Sequence, residues 1–355
     1  MRQGNLPHFF IAMRVGLTYN LKKQTVRCDG SLNDHEAEWD DQETIDAIIS
    51  AISRHHTAIP IEADLGAFDA LKRSRPDIVF NIAEGAGGPH REACIPAMLE
   101  MLAIPYTGSD PTTLGICLDK GRTKEALQYH RIPTPAFELL ESADACDRWR
   151  SFPAIVKPLW EGSSKGVRNS SFVATPDELR LETERIVEAY RQPAIVEAFL
   201  SGREFTVAVI GNGAGARALP AVEISFDSLP PMAHKIYSYE AKWVWDVPGK
   251  PLDIFSCPAQ VDAQLGRRIA QTALDAFRAL RCRDWCRIDI RLDDDCAPNI
   301  IELNPLPGIL PKPEDNSCFP KAARAAGMDY AALINTVLNT ALQRCRLLDP
   351  SPSAR

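Results

Sequence analysis

Between residues 14 and about 108 the chain alternates strand-like and helix-like segments, and this alternation restricts the fold more than any other feature. Residues 14–18 form a short apolar run. The segment from Glu43 then places Ile45, Ile48, Ile49 and Ile52 at helical spacing, with acids crowded at its start, where a helix dipole favours them. TAIPIEA from Thr57 reads as a second strand and residues 65–75 as a short helix. DIVFNIAEG from Asp77 reads as a third strand, the most apolar, running into a Gly-rich loop. A helix over residues 92–103 and a fourth strand over residues 104–109 complete the series. Strands separated by helices pair in parallel, so an open α/β sheet is expected, with ligands near the carboxyl ends of its strands.

PTPAFEL from Pro133 breaks the rhythm, and β-rich pieces follow: FPAIVKPL, GVRNSSFVA, AIVEAFL, EFTVAVIG and LPAVEI. Helices are expected at 175–189, 261–280 and 329–347, and an aromatic loop at 237–251. The second half is therefore α+β. The divisions expected are an N-terminal α/β domain (1–110), a central unit (111–196), a C-terminal unit (197–347) and a disordered tail (348–355).

A formal charge of −7 over 355 residues argues against non-specific nucleic-acid binding or attraction to an anionic membrane. No run approaches the roughly 18 apolar residues of a membrane span. The N-terminus has no small-residue cleavage site, so a cytoplasmic protein is expected. Ten cysteines are scattered without CxxC pairs, which points to reduced thiols rather than a disulfide framework or zinc site.

The stretch CRIDIRLDDDCAPNIIELNPLPGILP, residues 286–311, holds two strand-like runs joined by an acidic turn. Strand side chains alternate between faces, so Arg287, Asp289 and Arg291 share one face, and Glu302 with Asn304 share one face of the second run. Paired as a hairpin with polar faces matched, Arg287, Asp289, Glu302 and Asn304 converge. Two carboxylates and an amide oxygen are hard oxygen ligands, and an arginine beside them can hold phosphate or carboxylate oxygens. The pattern fits a magnesium–phosphate site, or an amphipathic hairpin with a charged wet face.

Three further stretches carry chemistry. In FPAIVKPLWEGSSKGV a strand presents Lys157 ahead of a Gly/Ser turn whose backbone N–H groups and hydroxyls can cradle phosphate, although the GxxxxGK[ST] spacing is absent. In IVEAFLSGREFTV two strands carry Glu197 and Glu204, carboxylates suited to accept from ribose hydroxyls. DKGRTK from Asp119 opens a helix with Lys120. Each has an ordinary structural meaning when taken alone.

Taken in order, VFNIAEG, IPYTGS with LDKGRTK, IPTP, FPAIVKP with EGSS and GV, IVEAFLSGREFTV, YSYEAKW, CRIDIRL and IIELNPLPG resemble the ATP-grasp superfamily, and closely its D-alanine–D-alanine ligase branch. The likeness spans residues 77–326. It implies an ATP-grasp fold, α/β and α+β, with a parallel-sheet domain ahead of two subdomains that hold ATP between them. It implies that Lys120 and Lys157 contact ATP phosphates under a lid containing Glu161, Ser163 and Ser164. Glu197 and Leu200 would meet adenine, Glu204 the ribose, and Lys242 the γ-phosphate. Asp289, Glu302 and Asn304 would bind two Mg²⁺ ions, with Mn²⁺ as a substitute. Arg287 would stabilise a tetrahedral intermediate, Ser163 and Lys242 acting with it in catalysis. Ser317 resembles the serine that fixes the second substrate's carboxylate. The implied chemistry is phosphoryl transfer to a carboxylate, attack by an amine on the acyl phosphate, and release of ADP and phosphate. Small amino acids or carboxylates are the implied partners, and related ligases are commonly homodimers.

Departures from the pattern cluster where the first substrate should sit. The family's GGxSxE-like segment is replaced by VGLTYNLKK at residues 15–23, with no acid. The acids Glu36, Glu38, Asp40 and Asp41 come later and read as a solvated helix start. The family's His-Gly becomes Glu84-Gly85, and the GEDG-type loop reads GGPHRE, residues 87–92, leaving Glu84 and Arg91 as candidate contacts to the first substrate. Trp243 replaces a tyrosine. A ligase with a donor other than D-alanine is expected. D-alanine–D-alanine ligase itself and an ATP-binding module without turnover are the alternatives.

Overall fold

The computed structural model describes residues 12–23, 36–245 and 252–348. The N-terminal strands β1 (Arg14–Tyr19), β2 (Thr57–Glu62) and β3 (Ile78–Asn81) form a parallel sheet in the order β2-β1-β3. Helix α1 (Gln42–Ile52) starts where Asp41 accepts from the Thr44 N–H at 2.8 Å, and it buries Ile45, Ile48 and Ile52. Helices α2 (Ala67–Ser74) and α3 (Cys94–Met101) follow their strands. Pro96 lies in the first turn of α3, where no intrahelical N–H is required.

The expected fourth strand does not form. Residues 104–109 give a single bridge, Val79 to Tyr106, because Pro105 has no N–H to donate and Gly108, at φ +87°, turns the chain away. Helices α4 (Pro111–Leu118) and α5 (Lys120–Tyr129) are separated by Asp119, whose extended backbone ends one helix while its side chain caps the next.

A second, antiparallel sheet has the order β4 (Phe137–Leu140), β7 (Ala194–Ala198), β5 (Ala154–Pro158), β6 (Phe172–Val173), backed by α6 (Pro176–Tyr190). The strand expected from residue 166 shrinks to β6, since Gly166 at φ +74° and a 3₁₀ turn at Asn169–Ser171 interrupt it. Helix α6 begins with a reciprocal cap, Thr175 with Glu178.

The third sheet runs β11 (Phe255–Ser256), β10 (Val222–Ile224), β8 (Glu204–Gly211), β12 (Asp284–Leu292), β13 (Pro298–Asn304), with β9 (Arg217–Ala218) also on β8. Helix α7 (Ala263–Ala279) covers one face, burying Ile269, Ala273 and Phe277 against Val207, Ile288 and Ile290; Cys117, Leu127 and Ile132 join that core. Helices α8 (Cys318–Ala325) and α9 (Tyr330–Arg344) cover the other face, in a core that includes Leu17, Ile48 and Phe80. Trp285 lies edge-on to both Phe80 and Phe319, at 5.6 and 5.7 Å between centroids. Buried Asp284 accepts from Arg344 at 2.7 and 3.0 Å, from Asn212 at 2.8 Å and from the Gly108 N–H at 2.8 Å. One carboxylate thus joins the third sheet, α9 and the loop between α3 and α4. Among the described residues, no helix is long and apolar enough to cross a membrane. The proposed tail falls largely outside the described residues, as do residues 246–251 of the aromatic loop.

Candidate active site

Antiparallel pairing of β12 with β13 sets Arg287 opposite Asn304 and Asp289 opposite Glu302, and the register then skips Ile301. The alternation that buries Ile288, Ile290 and Leu303 under α7 turns these four polar residues to the other face. Arg287 donates to Asp289 at 3.1 and 2.9 Å, and Thr206 of β8 donates to the same carboxylate at 2.5 Å. Burial disfavours the charge on Arg287, but Asp289 more than offsets it and raises the guanidinium's pKa. Glu302 meets Lys120, at the start of α5, at 3.1 Å. Burial alone would push Glu302 up; Lys120, Arg287 and Lys157 outweigh it and hold the carboxyl below its usual range.

A second group lies between the two antiparallel sheets. Lys157 of β5 reaches Glu197 of β7 at 3.1 Å, and Lys124 of α5 reaches the other Glu197 oxygen at 3.4 Å. Glu197 has a side chain 1% exposed, and the two ammonium groups keep it ionised despite burial. The same burial lowers Lys124 to about 8. Leu200 lies in the link that follows β7, and Glu204 opens β8. Arg291 pairs with Glu204 at 2.9 Å, and its guanidinium lies 4.5 Å from the Phe199 ring centroid.

Between these groups runs the loop of residues 161–166. Ser163 and Ser164 both occupy the left-handed region, at φ 51° and 60°. The Ser164 hydroxyl donates to the Tyr237 carbonyl at 2.8 Å, and the Tyr239 N–H donates to the Val167 carbonyl at 2.7 Å. The aromatic segment is thereby fastened to the loop, and its single π turn (Ala241–Trp245) carries Lys242. Burial, then Arg287, lowers Lys242 to about 8. One cavity is lined by Ser163, Lys242, Arg287, Glu302 and Asn304 together with Glu38, Glu84 and Glu92. Ser317 does not line it. Its hydroxyl accepts from the Leu310 N–H at 3.1 Å and donates to the Gly308 carbonyl at 3.2 Å, fixing the turn that borders the cavity.

The acids before α1 are not uniformly solvated. Asp41 caps the helix, and exposed Glu43 pairs with Lys312, as a helix start predicts. Glu38 instead is buried, its side chain 7% exposed, against Arg91 at 2.9 Å and Lys165 at 2.9 Å. Asp40 is pushed up to about 7, mainly by burial. Nothing local in the sequence marks Glu38, whose partners lie 53 and 127 residues away. Arg91 is committed to Glu38 and to the Trp160 carbonyl at 2.8 Å. Glu84 and Glu92 take part in no hydrogen bond or ion pair among the described residues. Burial, then Glu92, raises Glu84 well above the carboxylate range; burial raises Glu92 to about 8.

The architecture and the site together define an ATP-grasp protein. A family model described as D-ala D-ala ligase C-terminus matches residues 127–339. A D-alanine–D-alanine ligase of Bordetella avium is 35% identical over 291 residues, which cover 81% of this chain and 84% of that protein. An uncharacterised protein of Sinorhizobium fredii is 34% identical over 316 residues, 86% of this chain and 89% of that one. The crystal structure of D-alanine–D-alanine ligase from Bacillus anthracis superposes with a TM-score of 0.69 at 25% identity, covering 95% of this chain and all of that one. The same enzyme complexed with ATP gives a TM-score of 0.68 at 24% identity, with the same coverage. The chain belongs to the D-alanine–D-alanine ligase family, and it is an ATP-dependent ligase that forms a C–N bond.

The donor set suits a hard cation. No group of three or more His, Cys, Asp or Glu residues gathers in ligand geometry among the described residues. Asp289, Glu302 and Asn304 offer a partial oxygen shell, the kind that Mg²⁺ completes with water and phosphate oxygens.

Proposed function

We propose that this ligase activates the carboxylate of a small amino acid or related acid as an acyl phosphate and joins it to the amine of a second amino acid, with a donor other than D-alanine. The observation that carries the reaction type is the β12–β13 register, which sets Arg287 and Asn304 beside Asp289 and Glu302, with Lys120 against Glu302. Phosphoryl transfer needs charge neutralisation more than covalent help. Lys120, Lys157 and Lys242 would bind the phosphates under Glu161, Ser163 and Ser164. Glu197 and Leu200 would border adenine, and Glu204 the ribose. Two Mg²⁺ ions, held by Asp289, Glu302 and Asn304, would supply the rest of the neutralisation. Arg287 would hold the tetrahedral oxyanion after amine attack. Residues 1–110 would bear the donor pocket, and residues 111–196 and 197–347 would enclose the nucleotide.

The altered donor is supported by the pocket's chemistry. Glu84, the candidate contact there, lines the cavity with no hydrogen bond or ion pair among the described residues, while Arg91 is engaged by Glu38 and is better placed to hold the pocket than to touch substrate. D-alanine–D-alanine ligase itself remains the second reading, favoured by the Bordetella avium relative. ADP release with MgATP, screened over D- and L-amino acids and small acids with mass analysis of products, tests both. ADP tied to a carboxylate–amine pair other than two D-alanines is the expected outcome. Full turnover with D-alanine alone would establish the second reading, and ADP release that needs no carboxylate would overturn the first.

A further inference from the structure

Glu38 has no oxygen left for a ligand. Oε1 accepts from Arg91 Nη2 at 3.0 Å and from the Gly162 N–H at 2.9 Å. Oε2 accepts from Arg91 Nη2 at 2.9 Å and from Lys165 Nζ at 2.9 Å. A carboxylate offers about four acceptor sites, and three protein donors crowd both oxygens, Arg91 Nη2 being shared between them. Although Glu38 lines the cavity, a substrate ammonium could reach it only by displacing one of these donors.

The donors also show what Glu38 holds. Gly162 and Lys165 bracket Ser163 and Ser164, which sit consecutively in the left-handed region that non-glycine residues disfavour. Such a turn persists only where its surroundings over-determine it. Lys165 is tied a second time, to Glu161 at 2.6 Å. Glu38 itself is anchored through its neighbours: the Asp40 N–H donates to the Asn20 carbonyl at 3.0 Å, and Trp39 Nε1 donates to the Gly85 carbonyl at 3.2 Å. The approach to the loop is so close that a Cβ on Gly162 would lie 2.4 Å from Glu38 Oε1. Gly162 has no positive φ to require glycine, so an added methyl there would have to push the Glu38 carboxylate aside.

We infer that Glu38 is a positioning residue that clamps the Gly162–Lys165 turn in its phosphate-binding form and ties it to the N-terminal domain. The inference rests on the reading of that turn as an ATP-phosphate loop. Calorimetric titration of the full chain with MgATP tests it without any knowledge of the donor. E38Q and K165M should each weaken MgATP at least about 10-fold, as loss of a charge-assisted hydrogen bond allows. The double variant should bind within about 2-fold of the weaker single one, since both break one device. G162A should weaken MgATP in the native background and add nothing in E38A, while E38D recovers part of the loss. Melting temperatures within about 3 °C of the parent separate positioning from general destabilisation. Native affinity in E38Q, multiplying losses in the double variant, or affinity lost only in step with melting temperature would overturn the inference. Should E38Q fail to fold, G162A, which removes no ion pair, decides by the same criteria. A parent chain that does not bind MgATP would refute the loop assignment itself, and one that binds it but turns over no donor would refute only the proposed reaction.

Discussion

The face proposed to hold the nucleotide and the face proposed to hold the donor are both built from charged residues, but they balance charge differently. On the nucleotide face each buried acid meets a cation: Asp289 meets Arg287, Glu302 meets Lys120, Glu197 meets Lys157 and Lys124, and Glu204 meets Arg291. On the donor face Glu38 is tied to Arg91, Lys165 and the Gly162 N–H, while Glu84 and Glu92 make no side-chain hydrogen bond or ion pair among the described residues and feel Arg91 only at longer range. Burial without an ion pair holds these two acids in their protonated form, and a cationic ligand would favour their ionised form. Phosphates and metal ions are the same for every ATP-dependent ligase, and a self-balanced scaffold suits them. On the proposed reading, substrate identity is left to the face whose acids lack counter-charges.

The contrast is open to breakage. The largest effect should follow Asp289→Asn, which removes a carboxylate from the proposed metal platform: kcat should fall by at least about 10³-fold. Near-native turnover in a steady-state ADP assay would rule out a catalytic role for that carboxylate. Next, Glu197→Gln leaves Lys124 and Lys157 facing each other without their counter-charge. Urea unfolding should register a loss of about 3–5 kcal/mol. A loss below about 1 kcal/mol would mean that the buried charges are balanced in some other way.

Lys242 gives a pH signature. Its ammonium, lowered to about 8, is present below that pH and lost above it. If the charge binds phosphate, kcat/KM for MgATP should decline by about tenfold per pH unit above 8, and K242R, which stays protonated, should flatten the profile. A native profile level to pH 10 would contradict the role. The smallest effect should come from Glu84→Gln, raising KM for the donor about 3–10-fold with KM for MgATP unchanged. A change in the MgATP constant alone would erase the distinction between the two faces.

Strand periodicity made one face legible and left the other obscure. Alternation along β12 and β13 was enough to group Arg287, Asp289, Glu302 and Asn304, because strand geometry assigns side chains to faces and the hairpin sets the partners. Parallel β1, β2 and β3 and helices α1, α6, α7 and α9 are likewise expected from the sequence, α1 from its helical spacing of isoleucines. The fourth strand failed at Pro105, where a local donor is missing, and α8 carried no expectation. Glu38 and Lys124 were missed for a different reason: their roles depend on pairings between distant segments, which no local period records. Glu38 and Asp41 are carboxylates three residues apart, yet Asp41 caps a helix and Glu38 is buried against the 161–166 loop.

The most direct test of the reaction is oxygen transfer. The donor returned by the ADP-release screen is labelled with ¹⁸O in its carboxylate, turned over with MgATP and its amine partner, and the phosphate is analysed by mass. An acyl-phosphate route carries one ¹⁸O atom into each phosphate formed with product. Unlabelled phosphate alongside stoichiometric C–N product would contradict activation of the carboxylate by this site.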